Sequence, residues 1–316
     1  MRPAAYRGRF APSPTGDLHL GSAATAIVAW LRARQAGGAL VLRVEDIDTP
    51  RVVAGSEARQ LVDLRWLGLD WDEGPDVGGA HAPYRQSERS KLYEAAIDRL
   101  AAQGAVYLCD CSRREIAGVA SAPHLGEEGP RYPGTCRRFG MRPRPFKRPP
   151  AVRVAVPERE VVLDDTFQGP VRQNVAGDVG DFVLKRGDGI YAYQLAVVVD
   201  DIEMGITEVV RGADLLDSAA RQVLLAEMLG GRAPAFAHVP LIVDAAGERL
   251  QKRDPRQTLS GQRESGCAPE ALLYDLVATL GIAAADREWR LRDLVQVADF
   301  DALRGRTSQS LVAGLL

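Results

Sequence analysis

The chain has 316 residues, 46% apolar and 26% charged, enough for one large domain or two modest ones and inconsistent with wholesale disorder. Lys and Arg (40) nearly balance Asp and Glu (42), so no global field advertises a nucleic-acid partner and any such site must be a local patch. No apolar run opens the chain, no stretch of about 18 apolar residues follows, and four Cys are too few for a secreted disulfide scaffold, so a soluble cytoplasmic protein without a membrane segment is expected.

Arg7–Phe10 reads as a short strand entering the Pro-rich turn Ala11-Pro12-Ser13-Pro14-Thr15-Gly16. From Ser22 to Gln35, Ile27, Val28, Trp30 and Leu31 recur at helical spacing, and Gly37-Gly38 stops the helix. Ala39–Val44 is almost continuously apolar, as in a sheet covered on both faces. Helices are predicted at about 54–66 and 88–102, ended by Gly68 and Gly104, before a short strand Val106–Leu108. Strands separated by helices of this length imply right-handed crossovers and a doubly wound parallel sheet, whose first half spans 1–108. Residues 109–150 break the pattern and read as an insertion, with three Cys, a Gly/Pro-rich stretch and a basic run.

Alternation resumes at Val152–Val156 and Val161–Leu163. Phe182–Lys185 and Ile190–Leu195, joined by Gly187-Asp188-Gly189, read as a hairpin. A strand near Glu208–Arg211 and a helix over 218–229 capped by Ser218 follow. A second hairpin, Pro240–Val243 to Glu248–Leu250, closes the second half, 151–260. Helices near 268–280 and 288–297 make a short helical C-terminal region, 261–316.

Three clusters carry chemistry. Between Pro12 and Ser22 a rigid turn leads to His19 and Gly21 just before a helix. That places main-chain N–H groups and a positive helix end against an anion, with Gly21 allowing close approach. His19 can donate to charge developing on a phosphate, although a purely structural histidine is the simpler alternative. Neither GxxxxGK[ST] nor GxGxxG is present here. Next, Arg43-Val44-Glu45-Asp46-Ile47-Asp48 follows the second strand, where carboxylates face the ligand crevice of an open α/β sheet. An acidic helix N-terminus is the alternative. Finally, Cys109, Cys111 and Cys136 favour Zn²⁺ over a disulfide in a reducing compartment, with His124 or another group able to complete a tetrahedron. Beside them, Arg131 to Arg153 holds eight basic residues and no acidic one, a patch able to track RNA phosphates unless its charges simply face solvent.

Arg9 to Ser22 (RFAPSPTGDLHLGS) resembles the "HIGH" signature of class I aminoacyl-tRNA synthetases in its glutamyl form. Arg249-Leu250-Gln251-Lys252-Arg253 resembles the family's "KMSKS" element, departing from it at Arg249 and Gln251 but keeping Lys252. Tyr191–Asp201 and Val210–Asp214 look like its second substrate-binding segment. The resemblance implies a Rossmann-type catalytic core in which His19, Gly21, Ser22 and Lys252 bind ATP, His19 and Lys252 acting in catalysis. It implies a glutamate pocket of Arg9, Ala11, Ser13, Glu45, Tyr193 and Arg211, with Glu45 on the ammonium group. Two guanidiniums for two carboxylates suit such a substrate. It also makes Cys109, Cys111, Tyr132 and Cys136 the ligands of a structural zinc.

A full glutamyl synthetase should continue into helical anticodon-binding domains, whereas this chain ends soon after Lys252. The resemblance, covering about residues 7–280, is therefore to the family's truncated paralogues. Those activate L-glutamate with ATP and Mg²⁺ without tRNA. They then transfer the glutamyl group to queuosine at the wobble position of tRNA(Asp), clasping its anticodon stem-loop. A monomer is expected. The rivals are an enzyme charging a tRNA 3′ end, another adenylate-forming ligase, and a catalytically silent RNA-binding paralogue.

Overall fold

β1 (Arg7–Phe10) and β2 (Ala39–Leu42) pair in parallel, Arg9 opposite Val41. The helix α1 (Leu20–Gln35) crosses between them, and ends where Gly37, at φ +60°, lets the Gly38 N–H reach the Ala33 carbonyl at 2.9 Å. The computed structural model describes residues 5–119, 131–244, 247–248, 254–284 and 289–311. α2 (Ser56–Trp66) and α3 (Ser90–Ala102) follow β2. β3 (Val106–Cys109) does not join the parallel sheet, as the sequence pattern had suggested. After the short α4 (Arg113–Val119), β4 (Ala151–Val154) returns antiparallel to β3 and packs on its other edge against β7 (Val183–Lys185).

β5 (Glu160–Asp165) and β6 (Gly169–Asn174) form an antiparallel hairpin, followed by the one-turn α5 (Val175–Asp178). The hairpin expected after Lys185 is reduced to one bridge, Lys185 to Tyr191, because α6 (Tyr193–Glu203) begins at Tyr193. β8 (Glu208–Gly212) pairs in parallel with β1, and after α7 (Leu216–Met228) β9 (Ala235–Val239) pairs in parallel with β8. Ser218 lies inside α7 rather than at its cap. The sheet order is therefore β2-β1-β8-β9. Strand order reverses between β1 and β8, so a crevice opens beyond their carboxyl ends.

Of the hairpin expected from β10 (Leu241–Val243) to Glu248–Leu250, the residues 249–250 lie outside the described ones. The turn closes between Asp244 and Glu248, and β10 pairs in parallel with β11 (Ser308–Ser310). The C-terminal helices α8 (Leu259–Glu264) and α9 (Pro269–Leu280) lead to a 3-10 turn at Leu291–Gln296, where an α-helix was expected. Leu272, Leu276, Leu280, Trp289 and Leu294 join α1 in one core, which explains why α1 is apolar all round. A second core gathers α3, α6, α7, β4 and β7.

Because Leu276 is fully enclosed in the core that α9 shares with α1, Leu276→Ala should cost about 2–5 kcal/mol in urea unfolding. A loss below about 1 kcal/mol would mean that the C-terminal segment is not part of the core.

Candidate active site

Side chains two residues apart on a strand share a face. Arg9 lies opposite Val41 and Val209, so Arg43 and Arg211, two positions on, project to the same side of the sheet as Arg9. All three are buried at the carboxyl ends of adjacent strands. Arg43 bonds Asp201 at 2.7 Å and Glu45 at 3.0 Å and lies 3.7 Å from Asp200. Burial opposes its charge, and the three carboxylates outweigh that penalty and hold it charged. Asp200 also accepts from Arg89 (2.6 Å), Gln86 (2.9 Å) and Tyr93 (3.0 Å). This network ties α3 and α6 to the sheet and fixes the floor of the crevice.

Arg9 donates to the Val210 carbonyl at 2.9 Å, while its Nε, 3.8 Å from Asp201, has no hydrogen-bond partner. Arg211 is held differently, because none of its contacts among the described residues is a carboxylate. It donates to His238 Nε2 (2.9 Å), the Tyr193 hydroxyl (3.3 Å), Gln222 Oε1 (2.7 Å) and the Leu215 carbonyl (3.0 Å). Burial, with the Arg9 cation nearby, pulls its pKa below the usual guanidinium value despite Tyr193. Glu45 is opposite in sign. Burial lifts its carboxyl above the ordinary range although Arg43 and Arg9 pull the other way, so an additional cation would be welcome there. Its N–H bonds the Pro12 carbonyl at 3.0 Å, joining it to the loop that carries half-buried Ala11 and exposed Ser13. Arg9, Glu45, Tyr193 and Arg211 thus converge on one crevice.

His19 caps α1. The Ser22 N–H donates to its Nδ1 at 3.1 Å, which leaves the proton on Nε2, 3.1 Å from the Ser22 hydroxyl. Gly21 makes room for this ring, since a Cβ there would meet Nδ1 at 3.1 Å. Both the structural and the anion-facing readings of His19 are compatible with that geometry. His19 also bridges Thr258, and the Leu259 N–H bonds the Leu18 carbonyl at 2.8 Å. The segment following Lys252 is therefore stitched to the His19 motif. Lys252 itself, with the rest of Arg249–Arg253, lies outside the described residues, as does His124.

Cys109, Cys111 and Cys136 bring their sulfurs within 4.8 Å of one another. The Tyr132 hydroxyl stands 3.4 Å from the Cys109 sulfur and 3.7 Å from that of Cys111, and Cys111 and Cys136 are 3.6 Å apart. The 3.4, 3.7 and 3.6 Å separations are close to the edges, about 3.5–3.8 Å, of a tetrahedral metal centre with sulfur and oxygen ligands, and the sulfurs are too far apart for a disulfide. Burial disfavours the Cys109 thiolate, but Tyr132, a backbone amide and Arg153 more than offset it and lower that pKa. Burial and the neighbouring sulfurs push Cys111 up to about 11. The four groups can hold a metal.

The basic run beside this cluster is largely neutralised from elsewhere in the chain. Arg137 pairs with Asp181, Arg144 with Asp110, and Lys147 and Arg148 with Glu115. Arg153 lies 4.2 Å over the Tyr132 ring. These arginines brace the loop, which leaves Arg131, Arg138 and Arg142 as its exposed cations without a carboxylate in contact among the described residues. A separate cavity of about 600 Å³, lined by Trp30, Trp66, Pro269 and Trp289, shares no residue with the crevice.

The sequence reading missed Asp165, His238 and Gln222. The single signal was a polar ring in the apolar strand Ala235–Val239. His238 accepts from Arg211 on Nε2, so its proton is on Nδ1, which donates to Asp165 at 2.5 Å.

Residues 5–302 match the family of class I tRNA synthetases (E and Q), catalytic domain. The fold is thus that of a class I synthetase, a ligase-type enzyme. A glutamate tRNA ligase from Elizabethkingia meningosepticum, solved in complex with its amino acid, superposes with TM-score 0.84 at 32% identity, over 98% of this chain and 68% of its own. Curated proteins named glutamyl-Q tRNA(Asp) synthetase are closer in length. That of Symbiobacterium thermophilum is 50% identical over 92% of each chain, and that of Nitratidesulfovibrio vulgaris 50% identical over 87% of this chain and 86% of its own. The chain belongs to the glutamyl-Q tRNA(Asp) synthetase family. No helix among the described residues is long and apolar enough to cross a membrane.

Burial, reinforced by Arg211, holds the His238 pKa below its usual value in spite of Asp165. The unfolded chain therefore takes up this proton first, and stability is expected to fall as pH drops through about 6.5. Urea unfolding at about pH 7.5 and about pH 5.5 checks this. The loss should be larger for the unaltered chain than for His238→Gln, and equal losses would refute it.

Proposed function

We propose that this chain activates L-glutamate with ATP, without tRNA, and transfers the glutamyl group to queuosine at the wobble position of tRNA(Asp) in the cytoplasm. The observation that carries the reading is Arg211, a buried cation at the sheet's switch point held by neutral acceptors alone. A buried charge without a counter-ion is costly, and a substrate carboxylate supplies the missing anion in a geometry suited to a guanidinium. Arg9, with its unbonded Nε, takes the second carboxylate, and Glu45, whose charge burial disfavours even beside Arg43, takes the ammonium group.

In the first step an oxygen of the glutamate α-carboxylate attacks the α-phosphorus of ATP. The bond to the bridging oxygen breaks and pyrophosphate leaves, giving glutamyl adenylate. The chain's contribution is positioning and charge stabilisation. Arg9, Arg211 and Glu45 fix the amino acid, and the N-terminus of α1 with His19 Nε2–H, Gly21 and Ser22 receives the phosphates. Lys252, which precedes in sequence the segment stitched to His19 through Thr258, meets the departing pyrophosphate. Mg²⁺ accompanies ATP and neutralises phosphate charge. In the second step a ring hydroxyl of queuosine attacks the carbonyl carbon of the mixed anhydride and AMP leaves. The hydroxyl proton passes to the adenylate phosphate.

Cys109, Cys111, Tyr132 and Cys136 suit Zn²⁺, a structural ion here because the cluster is enclosed by Phe139, Arg144 and Arg153. It would pin the loop between β3 and β4.

Glutamate-dependent ATP–pyrophosphate exchange should proceed without tRNA and fall by at least about 100-fold in Arg211→Ala, with ATP binding retained. Normal exchange in that variant would refute the pocket. Labelled glutamate should be recovered on the anticodon fragment of tRNA(Asp); label at the 3′ end would contradict the transfer step. Metal analysis should find zinc in the purified protein and less in Cys109→Ser, which should also unfold more readily. Absence of zinc from the unaltered protein would end that assignment.

A further inference from the structure

A guanidinium has five N–H groups and can offer a carboxylate either its side, through Nε and one terminal nitrogen, or its end, through both terminal nitrogens. Which edge is presented decides where the carboxylate sits. In Arg211 the Nε–H is already taken by His238 Nε2 at 2.9 Å, so the side edge is closed. Nη1 faces the Tyr193 hydroxyl and Gln222, and Nη2 the Leu215 carbonyl. One N–H on Nη2 has no acceptor among the described residues, so the free valence is on the end of the fork. The Phe236 ring lies 5.0 Å beneath this guanidinium and stacks on His238 at 5.9 Å and 13°, which fixes the plane of both groups.

For His238 to do this its Nε2 must carry a lone pair, not a proton. Asp165 secures that state. Its Oδ2 takes the His238 Nδ1–H at 2.5 Å, while Oδ1 is occupied by the N–H groups of Phe167, Gln168 and His238 at 2.9–3.1 Å. Both Asp165 and His238 side chains are fully enclosed, which excludes direct contact of either with substrate.

We propose that His238, its tautomer set by Asp165, is a positioning residue for glutamate recognition: it closes the Nε edge of Arg211 and leaves the free Nη2 N–H at the end of the guanidinium for the substrate carboxylate. This rests on Arg211 being a carboxylate ligand. Asp165→Asn makes the logic testable without removing a ring. Three backbone donors hold Oδ1, so the new amide must turn its NH₂ toward His238 Nδ1. The imidazole proton is then forced onto Nε2, against the Arg211 Nε–H.

The test is pyrophosphate exchange by the full chain, with glutamate and ATP varied separately. His238→Leu and Asp165→Asn should each raise the glutamate KM about tenfold or more, with ATP KM within about twofold and kcat at saturating glutamate within about threefold. His238→Gln, which offers an Oε1 acceptor near the position of Nε2, should stay within about threefold of the unaltered glutamate KM. The proposal is overturned by unchanged glutamate KM in Asp165→Asn, by parallel rises in both KM values, or by a His238→Gln variant as impaired as Asp165→Asn. If His238→Leu does not fold, the other two variants decide. Arg211→Ala, run alongside, separates the two claims: its normal exchange would remove the pocket itself, whereas its loss with unaffected Asp165→Asn removes only the role of His238.

Discussion

A guanidinium buried without a carboxylate in contact among the described residues is the constraint from which the proposed site follows. Arg211 cannot shed its proton, so its charge must be stabilised by dipoles, and in the proposed function by a substrate anion. The fold provides those dipoles from three directions: His238 on the neighbouring strand, Gln222 on the crossover helix, and Tyr193 at the start of α6. Arg43, two strands away across β1, is treated in the opposite manner. Its charge is neutralised by Asp200, Asp201 and Glu45, and it serves as scaffold. The same residue type on the same sheet face is structural or ligand-seeking according to whether the chain supplies its counter-ion.

The location follows from topology. β1 and β8 are adjacent though some two hundred residues apart in sequence, and their crossovers leave in opposite directions. The resulting crevice lies against the N-terminus of α1, so anion-binding main-chain groups and the guanidinium pair become neighbours by construction. The bridge from His19 to Thr258 draws the segment after Lys252 to the same edge. At the other end of the molecule the cysteine cluster is packed by stacked cations, with Arg144 between Phe139 and Phe146 at 4.8 and 4.6 Å. That arrangement spends most of a strongly basic segment on internal order.

Much of the crevice was legible because its residues sit in short local motifs. Glu45 lies just where a parallel strand ends, and the sequence pattern places such a carboxylate at a ligand crevice, while Arg9 stood out through the family resemblance. Arg211 and Tyr193 were recognised through family resemblance, yet Tyr193 was read on a strand when it opens a helix. Partner choice was the recurrent blind spot. Val106–Leu108 and Leu241–Val243 have strand composition, but nothing local says that the first pairs antiparallel with β4 or the second with a segment beyond residue 307. The basic run misled for the same reason, since Asp110, Glu115 and Asp181, which neutralise it, lie outside it in sequence. Asp165 and His238, 73 residues apart, acquire meaning only once β5 and β9 are neighbours in space.

The central claim is that this crevice grips an amino acid by two carboxylates. Calorimetric titration of the protein with L-glutamate and with L-glutamine, in the absence of tRNA, tests it most directly. Glutamate should bind on the order of 100-fold more tightly, because the uncharged amide leaves one guanidinium without its anion. Equal affinity for the two amino acids would contradict the account.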